Sequence, residues 1–172
     1  MKAQRSIHVV GTGTIGEPLI GLLVHAQQAL EVDEITFHKH SPRLEDRAKI
    51  RSLVRRGAKL AVEPQSRAAF EKLGLQPAYE ASEALEQATV VIDCTSDGLG
   101  NAHKEAYQAL DRARGFIAQG SEFGFGKMYA HGINDAALVP GEDRFLQVVS
   151  CNTHNIAAVL YTLGLAHEAP DN

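Results

Sequence analysis

The chain has 172 residues, 44% of them hydrophobic and 22% charged, which is the make-up of one globular domain and excludes disordered and fibrous classes. Seventeen Lys and Arg against 21 Asp and Glu give a net charge of -4, so no basic footprint for nucleic acid is present. The opening residues lack the apolar stretch of an export signal, and no apolar run approaches the roughly 20 residues that span a bilayer. Cys94 and Cys151 are far apart and form no CxxC pair, so neither a disulfide framework nor a metal site is expected and a reducing cytoplasm fits.

Short β-branched runs recur at Ile7 to Val10, Glu34 to His38, Ala58 to Val62, Thr89 to Thr95, Gly115 to Ala118 and Phe145 to Val149, and each reads as a strand. Between them the apolar spacing is helical. Ile15, Leu19, Leu22, Leu23 and Ala26 mark one helix; Leu44, Ala48, Ile50, Leu53 and Val54 a second; Ala69, Phe70 and Leu73 a third; Ala102, Ala106, Ala109 and Leu110 a fourth. Pro42 is placed to open the second helix, Gly57 to close it and Gly74 to close the third. Residues 123–143, with four glycines, are expected to be loop with a short helix, and a last helical run is expected from Ile156 to Ala166. Strand alternating with helix predicts parallel strands joined by crossovers, an α/β, doubly wound, mostly parallel sheet in a single domain.

Gly11, Gly13 and Gly16 form G-T-G-T-I-G between the first strand and the first helix. In that setting the first glycine serves the tight turn, the second lets backbone approach a pyrophosphate, and the third lets the helix pack on the strand. The free N–H groups at the helix start favour an anion. A glycine-rich structural turn is the bland alternative, and the strand–turn–helix context favours a dinucleotide. Near the end of the second strand, where NAD sites carry an acid for the ribose 2'-OH, the chain has His38, Lys39, His40, Ser41 and Arg43. That cluster suits a 2'-phosphate and favours NADP, with NAD retained, against the alternative of a solvated basic loop.

Ser150, Cys151, Asn152 and Thr153 lie between the last strand and the last helix, so the thiol is expected at a helix start, where the helix dipole favours a thiolate nucleophile. Aldehydes are natural targets for such a group. From these residues alone a packed, inert cysteine is the more common outcome, since most lone thiols near a strand end are simply packed. Cys94, within Val90-Val91-Ile92-Asp93-Cys94-Thr95, is expected to be buried in the sheet. Asp93 and Asp97 are available as a carboxylate pair, although loop polarity explains them more simply, and His103, His131 and His167 have no spacing that ties them to the thiol.

The run Gly11 to Gly16, Asp93-Cys94-Thr95, Gln119-Gly120 with Glu122, and Val148-Val149-Ser150-Cys151-Asn152-Thr153 together resemble the archaeal-type (type II) phosphorylating glyceraldehyde-3-phosphate dehydrogenases. The resemblance implies a Rossmann domain binding NADP or NAD, with Cys151 as the catalytic nucleophile. It also implies that Thr14 and Ile15 touch the coenzyme at the glycine turn and that Thr95, Gly120 and Ser121 line its path, while Ser150, Asn152 and Thr153 flank an aldehyde or acyl phosphate substrate. The chain departs from the family at His154 and Asn155, where Thr-Gly is usual, at Ser121, where a second glycine is usual, and at Val10, where the family has asparagine. Only residues 152–172 follow the thiol. Residues 1–172 are therefore expected to be the NAD(P)-binding domain ending on the Cys151 helix, without the family's catalytic domain. A homo-oligomer, or a partner chain supplying that domain, is expected. A non-catalytic NADP-binding or sensor protein and a semialdehyde dehydrogenase relative are the competing readings.

Overall fold

The computed structural model describes residues 4–165, and for Leu165 only the backbone. Eight strands form one sheet: β1 (Ser6–Val10), β2 (Glu34–His38), β3 (Lys59–Val62), β4 (Tyr79–Glu80), β5 (Val90–Asp93), β6 (Gly115–Gly120), β7 (Lys127–Tyr129) and β8 (Phe145–Val149). Six helices accompany them: α1 (Gly16–Ala26), α2 (Arg47–Arg55), α3 (Arg67–Lys72), α4 (Ala81–Gln87), α5 (Leu99–Gln108) and α6 (Cys151–Leu160), the last running into a π-helical turn over Tyr161–Leu165. The strand order is β4-β3-β2-β1-β5-β6-β8-β7, and every paired strand is parallel. This is the doubly wound α/β fold that the alternation predicts. The order reverses between β1 and β5, which opens a crevice at their carboxyl ends.

The two faces of the sheet carry separate cores, and the period-2 alternation of β1 and β2 decides which residue goes where. Ile7, Val9, Ile35 and Phe37 face one side and pack with Ile20 of α1, Ile50 and Leu53 of α2 and Phe70 of α3. Val10 lies on the other with Val91, Phe116 and Phe125, packed with Tyr107 of α5 and Leu85 of α4. Phe116 stacks on Phe145 with ring centroids 4.6 Å apart and on Tyr107 at 5.5 Å. His8 is buried on the second side, and its Nδ1 lies 2.7 Å from the Thr36 hydroxyl.

Helix ends follow the expected punctuation at Gly57 and Gly74. After α3 the Gly74 N–H donates to the Glu71 carbonyl at 2.8 Å and the Leu75 N–H to the Phe70 carbonyl at 3.1 Å, a Schellman closure with Gly74 at φ +69. Leu75 and Phe70, the two ends of that closure, are both in the core.

Several expectations need correction. Among the described residues the strands number eight, because β4 and β7 join the six expected runs, and β7 lies within the segment expected to be loop; its short helix is the 3-10 turn at Asp135–Ala137. Helix α4 is a further addition. Pro42 does not open α2, which begins at Arg47 after turns at 44–46. The last helix begins at Cys151, the helix start expected for the thiol, and takes in the start of the apolar run expected from Ile156, whose expected end at Ala166 lies outside the described residues. No helix among the described residues is long and apolar enough to cross a membrane.

Candidate functional site

The carboxyl edge of the sheet assembles the site. Gly11, at φ +93, leaves β1 so close to β5 that a Cβ there would stand 2.9 Å from the Cys94 carbonyl oxygen. A Cβ on Gly16 would stand 2.1 Å from the Gly11 carbonyl oxygen, so α1 can start there only as glycine. Gly13 is different: nothing lies within 4 Å of the position its Cβ would take. The turn is thus tight at its two ends and open in the middle, the shape needed for backbone to meet a pyrophosphate at the start of α1.

Below that turn lies a cleft of ≈ 1400 Å³, lined in part by Gly13, Lys39, Arg43, Thr95, Leu99 and His103. At its β2 end the lysines are already partnered. The Lys39 ammonium lies 2.6 Å from Asp46, and Lys49 lies 4.0 Å from Asp46 and 3.0 Å from Glu17, whereas His38 Nε2 stands 3.5 Å from Glu63 and makes no hydrogen bond. Arg43 is 65% exposed, with Glu45 only at 4.0 Å. The bond from Lys39, partly offset by burial and helped by its charge, holds the Asp46 carboxyl below the usual carboxylate range. Burial pushes His38 below the usual histidine value despite the nearby Glu63.

At the end of β5, Asp93 is buried and is the acceptor for four groups. The Thr95 backbone N–H donates at 2.9 Å and the Thr95 hydroxyl also donates, His103 Nδ1 lies at 2.9 Å, and the Tyr107 hydroxyl donates at 2.6 Å. Burial alone would raise the Asp93 pKa, but these bonds more than offset it and hold the carboxyl low. The same burial, with the Asp93 charge added, raises Tyr107 strongly and pushes the Cys94 thiol up to about 12. Asp97 is exposed, and no Asp93–Asp97 pair forms the centre of this site. His103 and Tyr107 join Asp93 here without any expectation from the sequence. Their i, i+4 spacing on one helix following an aspartate at a strand end was the available signal.

The edge continues through β6 and β8. Gln119 Nε2 donates to the Thr95 carbonyl at 3.2 Å, and a Cβ on Gly120 would stand 3.3 Å from the Ser150 Cα. Ser121 is exposed; Glu122 is buried, and its Oε2 accepts the Asn101 N–H at 2.8 Å, serving the start of α5 where Gly98 offers no side chain. Ser150 is the N-cap of α6: its Oγ accepts the Thr153 N–H at 3.2 Å and lies 3.0 Å from Thr153 Oγ1. Cys151 is therefore the first helical residue, and it is exposed, as are Asn152 and Thr153. His154 Nε2 lies 3.0 Å from the His131 carbonyl oxygen, which ties α6 to the loop after β7. One edge thus carries the glycine turn, Lys39, Thr95, Gly120 and Ser121, and the Ser150–Thr153 segment. Among them Gly11, Gly13, Thr14, Lys39 and Thr95 line the cleft, and Cys151 does not. Among the described residues no group of three or more His, Cys, Asp or Glu is arranged to hold a metal ion.

No protein-family model matches the chain. It is 32% identical over 163 residues to a glyceraldehyde-3-phosphate dehydrogenase of Methanobacterium bryantii, covering 91% of this chain and 44% of that protein. A glyceraldehyde-3-phosphate dehydrogenase of Methanosarcina mazei is 33% identical over 164 residues, covering 93% and 45%. One from Pyrobaculum neutrophilum is 32% identical over 164 residues, covering 92% and 44%. The chain spans a little under half the length of these curated relatives.

Proposed function

From a chain that resembles archaeal-type glyceraldehyde-3-phosphate dehydrogenases over more than nine-tenths of its length, we propose a nicotinamide dinucleotide-binding domain, residues 1–172, that presents Cys151 as the nucleophile for aldehyde oxidation. The observation that carries this reading is the open position at Gly13, flanked by two glycines that backbone already crowds, at the start of α1. That cradle fits a pyrophosphate. Gly11, Gly13, Thr14, Ile15 and Gly16 hold it, Lys39 with Ser41 and Arg43 favours the 2'-phosphate of NADP over NAD, and Thr95, Gly120 and Ser121 guide the coenzyme along the sheet edge.

The bound coenzyme supplies the hydride acceptor. The protein's part is to bring the thiolate of Cys151 to the aldehyde carbon, forming a C–S bond, while Ser150, Asn152 and Thr153 orient the substrate's oxygens. With a coenzyme bound to take up the hydride, that adduct would become a thioester, which inorganic phosphate would cleave to an acyl phosphate with return of the thiolate. A base and further substrate ligands come from a catalytic domain, which packs over the exposed apolar side of α6, where Ile156, Val159 and Leu160 are 55–66% exposed. A cytoplasmic setting belongs to the same proposal, which two free thiols suit.

Kinetics of the 172-residue chain, alone and mixed with a candidate catalytic-domain chain, test this. NADP binding without turnover by the chain alone, and aldehyde-dependent NADPH formation on mixing that Cys151→Ser abolishes, is the expected result. The absence of one general base typically removes a factor of about 10² to 10⁴, so residual turnover should be slight. NADP binding that no partner converts into turnover would favour a non-catalytic NADP-binding or sensor protein.

A further inference from the structure

Asp46 stands at the N-cap position of α2, yet its side chain makes no cap hydrogen bond. It is turned instead into the cleft, where its Oδ2 lies 2.6 Å from the Lys39 ammonium and its Oδ1 4.0 Å from Lys49. Both members of the Lys39 pair are largely buried, at 16% and 17% exposed. The cation best placed to meet a 2'-phosphate is therefore held by a carboxylate at hydrogen-bond distance. A 2'-phosphate brings two negative charges toward that carboxylate and competes with it for Lys39. A 2'-hydroxyl meets no such opposition and can itself donate to Asp46, the service that an acid at the end of the second strand gives in NAD sites.

We propose that Asp46 is a coenzyme-specificity residue, an acid delivered from the start of α2 that restrains Lys39 and keeps NAD competitive with NADP in this cleft. The inference rests on the dinucleotide reading given above. It differs from a surface ion pair in consequence, because the carboxylate that neutralises Lys39 lines the same cleft as Lys39 itself. Arg43, exposed and only distantly paired, remains the cation open to the phosphate.

Titrating NADP+ and NAD+ into the full chain and into Asp46→Asn and Asp46→Ser by calorimetry tests the assignment. Asparagine and serine are both good helix N-cap residues, and the native side chain contributes no cap bond, so α2 is preserved. The ratio of NAD+ to NADP+ dissociation constants should rise about tenfold in each variant, from tighter NADP+ and weaker NAD+ binding, the scale of a single charge-assisted hydrogen bond. A ratio unchanged or lowered in a folded variant that still binds both coenzymes overturns the role of Asp46 and leaves the dinucleotide reading standing. Failure of the parent chain to bind either coenzyme overturns both.

Discussion

At the residue scale the two cysteines are opposites. Cys94 is buried beside the ionised Asp93, and its thiol is pushed up to about 12, so it stays protonated. Cys151 is exposed at the first turn of α6. Iodoacetamide should therefore label Cys151 well before Cys94, and peptide mapping by mass spectrometry would show the order; earlier labelling of Cys94 would remove Cys151 as the nucleophile. A second residue-scale expectation concerns His8, lowered to about 3 by burial and by the neighbouring His38. The folded chain keeps His8 neutral down to about that pH, whereas the unfolded chain takes up its proton near the ordinary histidine value of 6.5. Stability should therefore fall as pH drops from 6.5 toward 3, and His38, lowered in the same direction, adds to the loss. His8→Gln should flatten the decline in urea midpoint between about pH 7 and pH 4.5, and an equally steep decline would place the titration elsewhere.

At the element scale the glycines separate structure from binding. Gly16→Ala puts a Cβ against the Gly11 carbonyl and should cost about 1–3 kcal/mol, read as a lower urea midpoint. The strands β2 and β8 were legible to the residue, because each is a short β-branched or aromatic run that the sheet buries wholly or in part. What escaped was set by partners rather than by local pattern. Two-residue β4 exists through its pairing with β3, and β7 through its pairing with β8, neither being long enough to show an alternation. Helix α4 has the right spacing in Ala81, Ala84 and Leu85, but a small, mostly alanine face over seven residues is a weak signal. The site was legible where one turn makes it, as at Gly11 to Gly16 and at Ser150 to Thr153. It was not legible where a distant element completes it: the cationic cluster at 38–43 gave no sign that Asp46 and Glu63 would turn back onto it, nor Asp93 that His103 and Tyr107 would reach it.

At the scale of the whole molecule the chain is well packed on both faces of the sheet and bare along α6, none of whose residues is buried. Ile156, Val159, Leu160 and Leu163 on that segment are exposed and form the surface that the proposed catalytic domain would cover. Without that cover the isolated chain should self-associate in a concentration-dependent way, and Ile156→Lys with Leu160→Lys should return it to a monomer in sedimentation velocity. A parent chain monomeric at high concentration would deny this face its role as an interface. The central claim, that the carboxyl edge of this sheet is a coenzyme cradle, is tested most directly by calorimetric titration of NADP+ into the parent and into Gly13→Val. The position of that valine is open, so the variant should keep the parent's melting temperature while losing binding, and the parent should bind NADP+ more tightly than NAD+. Undiminished binding by Gly13→Val, or no binding of either coenzyme by the parent, would contradict the account.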